Sequence, residues 1–193
     1  MKKNILLFTI ALSFISAVTY AQTPPQLSSS RKQAIDSLAM EKIRDLGKYI
    51  SIVGDKETPW SEANRVIERT LELFSEGSEI GVSSLSSNKI KNYTIREYLE
   101  RLMALNYDKV KIQWFDIQYI SDLERQPDGK YVGVITIYQK FEGRTEEGLV
   151  YKDVTKKDIT VYVERKETQI GGRIIGFWDV MLGDIRVAET ARG

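Results

Sequence analysis

Two acids stand where apolar residues are expected. Asp116 follows Trp114 and Phe115 in "KVKIQWFDIQYI" (109–120), and Asp179 follows Phe177 and Trp178 in "IIGFWDVMLGDIRV" (174–187). A carboxylate buried among apolar side chains is costly unless it is paired or stays protonated, and protonation there means a raised pKa. That is the state a general acid or base near neutral pH requires. Asp116 or Asp179 with a tyrosine as hydrogen-bond donor would make an isomerase- or hydrolase-type site. The same pattern fits a structural acid pairing with Lys, Arg or a backbone amide on a bent strand, and that reading is preferred for both. Tyr107, Trp114, Tyr119, Tyr138 and Tyr151 recur at strand spacing. They are candidates for the mouth of a cavity, Trp114, Tyr119 and Tyr138 foremost as ligand contacts. Cross-strand packing is the commoner use of such residues.

Absent residue types narrow the chemistry further. The chain has no histidine and no cysteine, which removes Ser-His-Asp and Cys-His nucleophiles and every histidine-based zinc site. Glu76, Glu79, Glu146 and Glu147 fall in turn-like stretches without calcium-loop spacing. No glycine-rich segment has phosphate-cradling spacing. Neither a metal nor a cofactor is expected, and any catalysis must run on carboxylates, tyrosines, lysines or hydroxyls.

The N-terminus reads as an export signal. Lys2 and Lys3 precede an apolar run from Ile5 to Val18, and Ala21 offers a small residue for cleavage. The run is shorter than the ~20 residues a membrane span needs. Residues 1–21 are therefore expected to be removed, giving a periplasmic or secreted protein with no membrane-spanning segment. Removing Lys2 and Lys3 from 28 basic residues leaves 26 against 27 acids. A balance this even argues against capture of nucleic acid or a polybasic membrane patch. Without disulfides, the mature chain must be held by its core, as a single domain of this length can be.

Residues 22–30, with two prolines and three serines, read as a flexible leader. Ile35, Leu38, Ile43, Leu46, Ile50 and Val53 recur at helical spacing and predict a helix over 31–53, stopped by Gly54. A second helix is expected to begin at "TPW", with Thr58 as cap and Pro59 at the first helical position, and to end by Gly77. "EIGVSSL" reads as a short strand or extended segment. Thr94 and Glu97 form a capping box for a third helix over 95–105, flanked by Tyr93 and Tyr98 as a hydrophobic staple. The period then changes to two. Four strands are expected at 109–123, 130–141, 149–164 and 173–187, joined by turns and paired antiparallel as a meander. The apolar phase slips at Phe115, as a β-bulge would cause, with Phe115 or Asp116 the extra residue.

This order of helices and strands resembles the nuclear-transport-factor-2-like superfamily, and the chain is similar to its exported members from Bacteroidetes-type bacteria. The resemblance covers residues 31 to 187 and rests on topology and the bulge. It implies an α+β cystatin-like cone: three N-terminal helices packed on one face of a strongly bent antiparallel sheet, as one domain over 31–193. It further implies a small apolar ligand, an envelope protein partner, or dimerisation through the outer sheet face. Trp178, Val180 and Leu182 are candidates for a homodimer patch, unless a loop or helix covers them. The functional expectation is an exported, non-catalytic ligand- or partner-binding domain of the cell envelope. An isomerase or hydrolase of the same fold, or a structural component of an envelope complex, are the alternatives. An inward-facing Asp with a raised pKa and a Tyr hydroxyl within reach would favour the enzyme, whereas a cavity filled by Phe, Leu and Met would exclude it.

Overall fold

A computed structural model describes residues 27–85, 87–119 and 121–193. The export signal expected at 1–21 and residues 22–26 of the expected leader lie outside the described residues. Helix α1 spans Ser29–Gly54, with Ser28 as its cap, so Ser29 and Ser30 belong to the helix rather than to the leader. Its stripe of Ile35, Ala39, Ile43, Leu46, Ile50 and Val53 is buried. Helix α2 spans Trp60–Leu71 and begins one residue later than the sequence suggests. Pro59 itself holds the cap position, and no side chain caps the helix. Ala63, Val66, Ile67 and Thr70 form its buried face. Helix α3, Ile95–Met103, starts at Thr94 with both halves of the capping box formed.

Strand β1 (Glu79–Ser84) is followed by β2 (Ser87–Thr94), β3 (Lys109–Tyr119), the two-residue β4 (Glu124–Arg125), β5 (Tyr131–Thr145), β6 (Gly148–Ile170) and β7 (Arg173–Arg192). They make one sheet ordered β2-β1-β7-β6-β5-β3, with β4 on β5. The long strands form the expected antiparallel meander. The sheet as a whole is mixed, because β1 joins β7 in parallel through Ile80 and Ile185. Strand β2 was not legible: "SNKIKNYT" shows no apolar alternation, as suits a polar sheet edge.

Helices cover one face only, so each long strand buries alternate residues. Ile135 and Ile137 of β5, Ile159, Val161 and Val163 of β6, and Val180, Leu182 and Ile185 of β7 meet the helical stripes. Gly47 and Gly54 of α1 let β3 approach; a Cβ there would lie 3.4 Å from the Trp114 ring and 3.3 Å from Ile112. Register shifts interrupt the β1–β2, β3–β5, β5–β6 and β6–β7 ladders, and each adds local bend and twist. Three helices held against one face of a bent sheet make the architecture of the cystatin-like cone.

The bulge in β3 is where the phase slip places it. Phe115 pairs with Tyr138 and Gln118 with Thr136, so one residue is extra, and Asp116 takes φ 49°. Val110, Ile112, Trp114 and Ile117 accordingly all pack against the core.

The proposed dimer patch is corrected by the fold. Val180 and Leu182 are wholly buried within one chain. Backbone bonds tie Leu182 to Leu73 and Ser75, in the segment that follows α2. Trp178 is half-buried, edge-on to Tyr131 at 5.7 Å. The exposed apolar residues of this region lie further out. Here β6 and β7 run past the start of β5 and turn at Gly171 and Gly172, both at positive φ. Ile170, Ile174, Ile175 and Phe177 of this hairpin face solvent.

Candidate functional site

The inner face of β6 changes character along its length. Ile159, Val161 and Val163 sit in the core, and the same alternation run backwards places Lys157, Thr155 and Asp153 on the same face. All three are buried: Asp153 is 5% exposed and Lys157 3%. On β5, Ile135 and Ile137 give way to Gln139 and Phe141, which pair with Thr155 and Asp153. Here the helices leave the sheet partly uncovered. A cavity of about 410 Å³ lies between β5 and β6, β1 and β2, and α3, a size usual for small-molecule sites at ~300–1,000 Å³. Helix α3 contributes Tyr98, Arg101 and Leu102, and Leu105 follows it. The capping box therefore anchors one wall. Val82, Leu102, Leu105 and Phe141 supply an apolar side.

The polar groups interact specifically. The Tyr151 hydroxyl donates to Asp153 Oδ2 at 2.6 Å and accepts the Leu85 N–H at 3.0 Å. Burial raises the Asp153 pKa, while the Tyr151 bond and the Lys157 charge pull it back. Burial and the bond to Asp153 push Tyr151 up to about 12, against the Leu85 N–H. Burial, with the Asp153 charge behind it, holds Tyr98 well above the ordinary tyrosine range. Lys157 is lowered to about 8 by burial, partly countered by Asp153. Its ammonium makes one long contact to the Gly81 carbonyl, 3.4 Å, and faces the Tyr98 ring at 5.6 Å. Gln139 accepts from Trp114 Nε1 at 3.2 Å. Among the described residues no cluster of acids could hold a metal.

The residues singled out in the sequence fall differently. Asp116 is exposed at the bulge, its carboxylate accepting from Gln118 Nε2 at 2.8 Å. Asp179 pairs with Lys166 at 2.6 Å on the solvent side of the hairpin. Neither lines the cavity. Trp114 stands behind the cavity wall and reaches it only through Gln139. Tyr138 stacks on Phe115 with ring centroids 5.8 Å apart, in the opposite phase to Gln139. The side chain of Tyr119 lies outside the described residues. Tyr107 and Tyr151 do line the cavity.

Asp153, Lys157, Thr155, Gln139, Tyr98 and Arg101 escaped sequence reasoning. The signal for the β6 trio was present in "YKDVTKKDITVYV", where the inward phase of Ile159, Val161 and Val163 extends back to polar residues. The charged neighbours Lys152, Lys156 and Asp158 hide that phase in the sequence.

No family model and no curated protein matches the chain. Among solved structures, it is similar to a candidate scytalone dehydratase from Novosphingobium aromaticivorans. The TM-score is 0.43 at 11% identity, over 85% of this chain and 91% of that one. It is also similar to a hexachlorocyclohexane dehydrochlorinase, LinA type 2, with TM-score 0.40 at 14% identity over 83% and 92%. A likeness this distant carries no activity with it.

Proposed function

We propose that the chain is an exported small-molecule-binding protein, and that its site is the cavity at the polar end of the cone. The observation that carries this reading is the cavity itself. Buried Asp153, Thr155, Lys157 and Gln139 converge on one end of a space that Val82, Leu102, Leu105 and Phe141 give an apolar side. A few placed polar groups in an apolar pocket are what orient a small ligand. Native mass spectrometry of protein isolated from its own cells should find a bound small molecule, lost when Leu105→Trp fills the cavity. A chain that is unliganded from native cells, and that binds nothing from a broad metabolite panel, would sink the reading. Export has its own test: the envelope fraction should contain a chain beginning at Gln22.

A second reading is favoured by the bond between Tyr151 and Asp153. A buried carboxyl with a raised pKa and a tyrosine hydroxyl at 2.6 Å has the parts of a proton-transfer site. In that role Asp153 would take a proton from a carbon beside a carbonyl, and Tyr98 or Tyr151 would hydrogen-bond the developing oxyanion. Deuterium exchange into a panel of small ketones, followed by NMR, would reveal such turnover, and Asp153→Asn should then abolish it. Ligand binding with no exchange in any member leaves the binding protein as the function.

A further inference from the structure

The polar end of the cavity is rich in donors and poor in acceptors. An ammonium has three N–H groups, and Lys157 engages one long contact to a carbonyl and one ring face. Among the described residues no carboxylate comes within ion-pair distance of it. Gln139 has its carbonyl oxygen occupied by Trp114, which leaves its amide N–H groups. Arg101 lines the cavity from an exposed position, its guanidinium 4.6 Å over the Tyr93 ring, and it too has no ion pair among the described residues. Against these donors stands one acid, Asp153, which already accepts the Tyr151 hydroxyl.

We propose that the ligand carries a carboxylate on an apolar body, with Lys157 receiving the anion and Arg101 providing a second cation at the cavity mouth. This rests on the cavity being a ligand site and adds the class of ligand. A buried ammonium without a counter-ion is costly, and an anion that completes its hydrogen bonds offsets that cost in a dry site. The apolar walls of Val82, Leu102, Leu105 and Phe141 take the remainder of the molecule. A cationic ligand would meet Asp153 only beside Lys157 and would gain little. A neutral alcohol would leave the ammonium unpaired.

Three probes of matched shape decide it: phenylbutyrate, phenylbutanol and phenylbutylamine, titrated calorimetrically into the purified protein at neutral pH. The carboxylate should bind about tenfold or more tighter than the alcohol, the scale of a hydrogen bond to a charged group. Lys157→Met should remove that advantage, so that acid and alcohol bind within about threefold of each other. Arg101→Gln, at an exposed position and safe for folding, should weaken the carboxylate by about threefold to tenfold. Equal binding of acid and alcohol overturns the anion assignment while the ligand site stands. Preference for the amine overturns it in favour of Asp153. If none of the three binds, the carboxylate assignment falls, and the native mass spectrum decides separately whether the cavity holds a ligand.

Discussion

Lys157 carries a charge almost wholly out of water, and its consequence is a pH dependence of unexpected sign. The free side chain titrates at 10.5 and the folded one at about 8. Between those values the unfolded chain holds a proton the folded chain has released, so stability rises with pH. The gain is on the order of 2–3 kcal/mol between about pH 8 and pH 10. Above about pH 10 the trend reverses, because Tyr98 and Tyr151 stay protonated when folded and ionise when unfolded. Urea midpoints measured at about pH 7 and about pH 9.5 should therefore increase for the native chain. Lys157→Met should be more stable at the lower pH and show a nearly flat profile. A variant that keeps the native slope would show that another group is responsible. The carboxyl of Asp153 works the other way: its raised pKa stabilises the fold at acid pH, and that contribution fades as pH rises through its titration.

At the scale of elements, α3 walls the cavity and the bulge shifts the phase of β3. Both were legible because each is encoded within a few consecutive residues. The capping box needs only Thr94 and Glu97, whose reciprocal bonds are present at 3.2 and 3.0 Å. Thr94→Ala should cost about 1 kcal/mol in chemical denaturation. It should also weaken ligand binding, since Tyr98, Arg101 and Leu102 ride on that helix. The bulge needs only a slip in alternation, and it sets Asp116 at φ 49°. Asp116→Gly should be neutral or slightly stabilising, and Asp116→Val should lose about 1–2 kcal/mol to the left-handed backbone. Equal stability of the two variants would contradict the bulge geometry. Strand β2 was illegible for the opposite reason. It is polar and at an edge, and it is made a strand by pairing with β1 rather than by its own pattern.

Across the whole molecule, one core holds helices and sheet together, and β7 is central to it. Leu182 is fully buried, against both the helical layer and the segment after α2. Leu182→Ala should therefore cost about 2–5 kcal/mol, as core truncations do. Sedimentation should show its oligomeric state unchanged from the native chain; a shift in association without loss of stability would restore the surface-patch reading. Composition, helix positions, strand alternation and the bulge were determined by the sequence itself, because each is a local or periodic property of neighbouring residues. The cavity was decided only in three dimensions. Its walls come from residues 82–107 and 139–157, and its chemistry depends on which polar side chains the bent sheet turns inward and the helices leave uncovered. Asp116 and Asp179 stood out against apolar neighbours in the chain, yet Asp116 is exposed and Asp179 is a half-buried acid paired with Lys166. Asp153 and Lys157 were inconspicuous among charged neighbours and are buried, because burial follows from the curvature and coverage of the sheet and not from local composition.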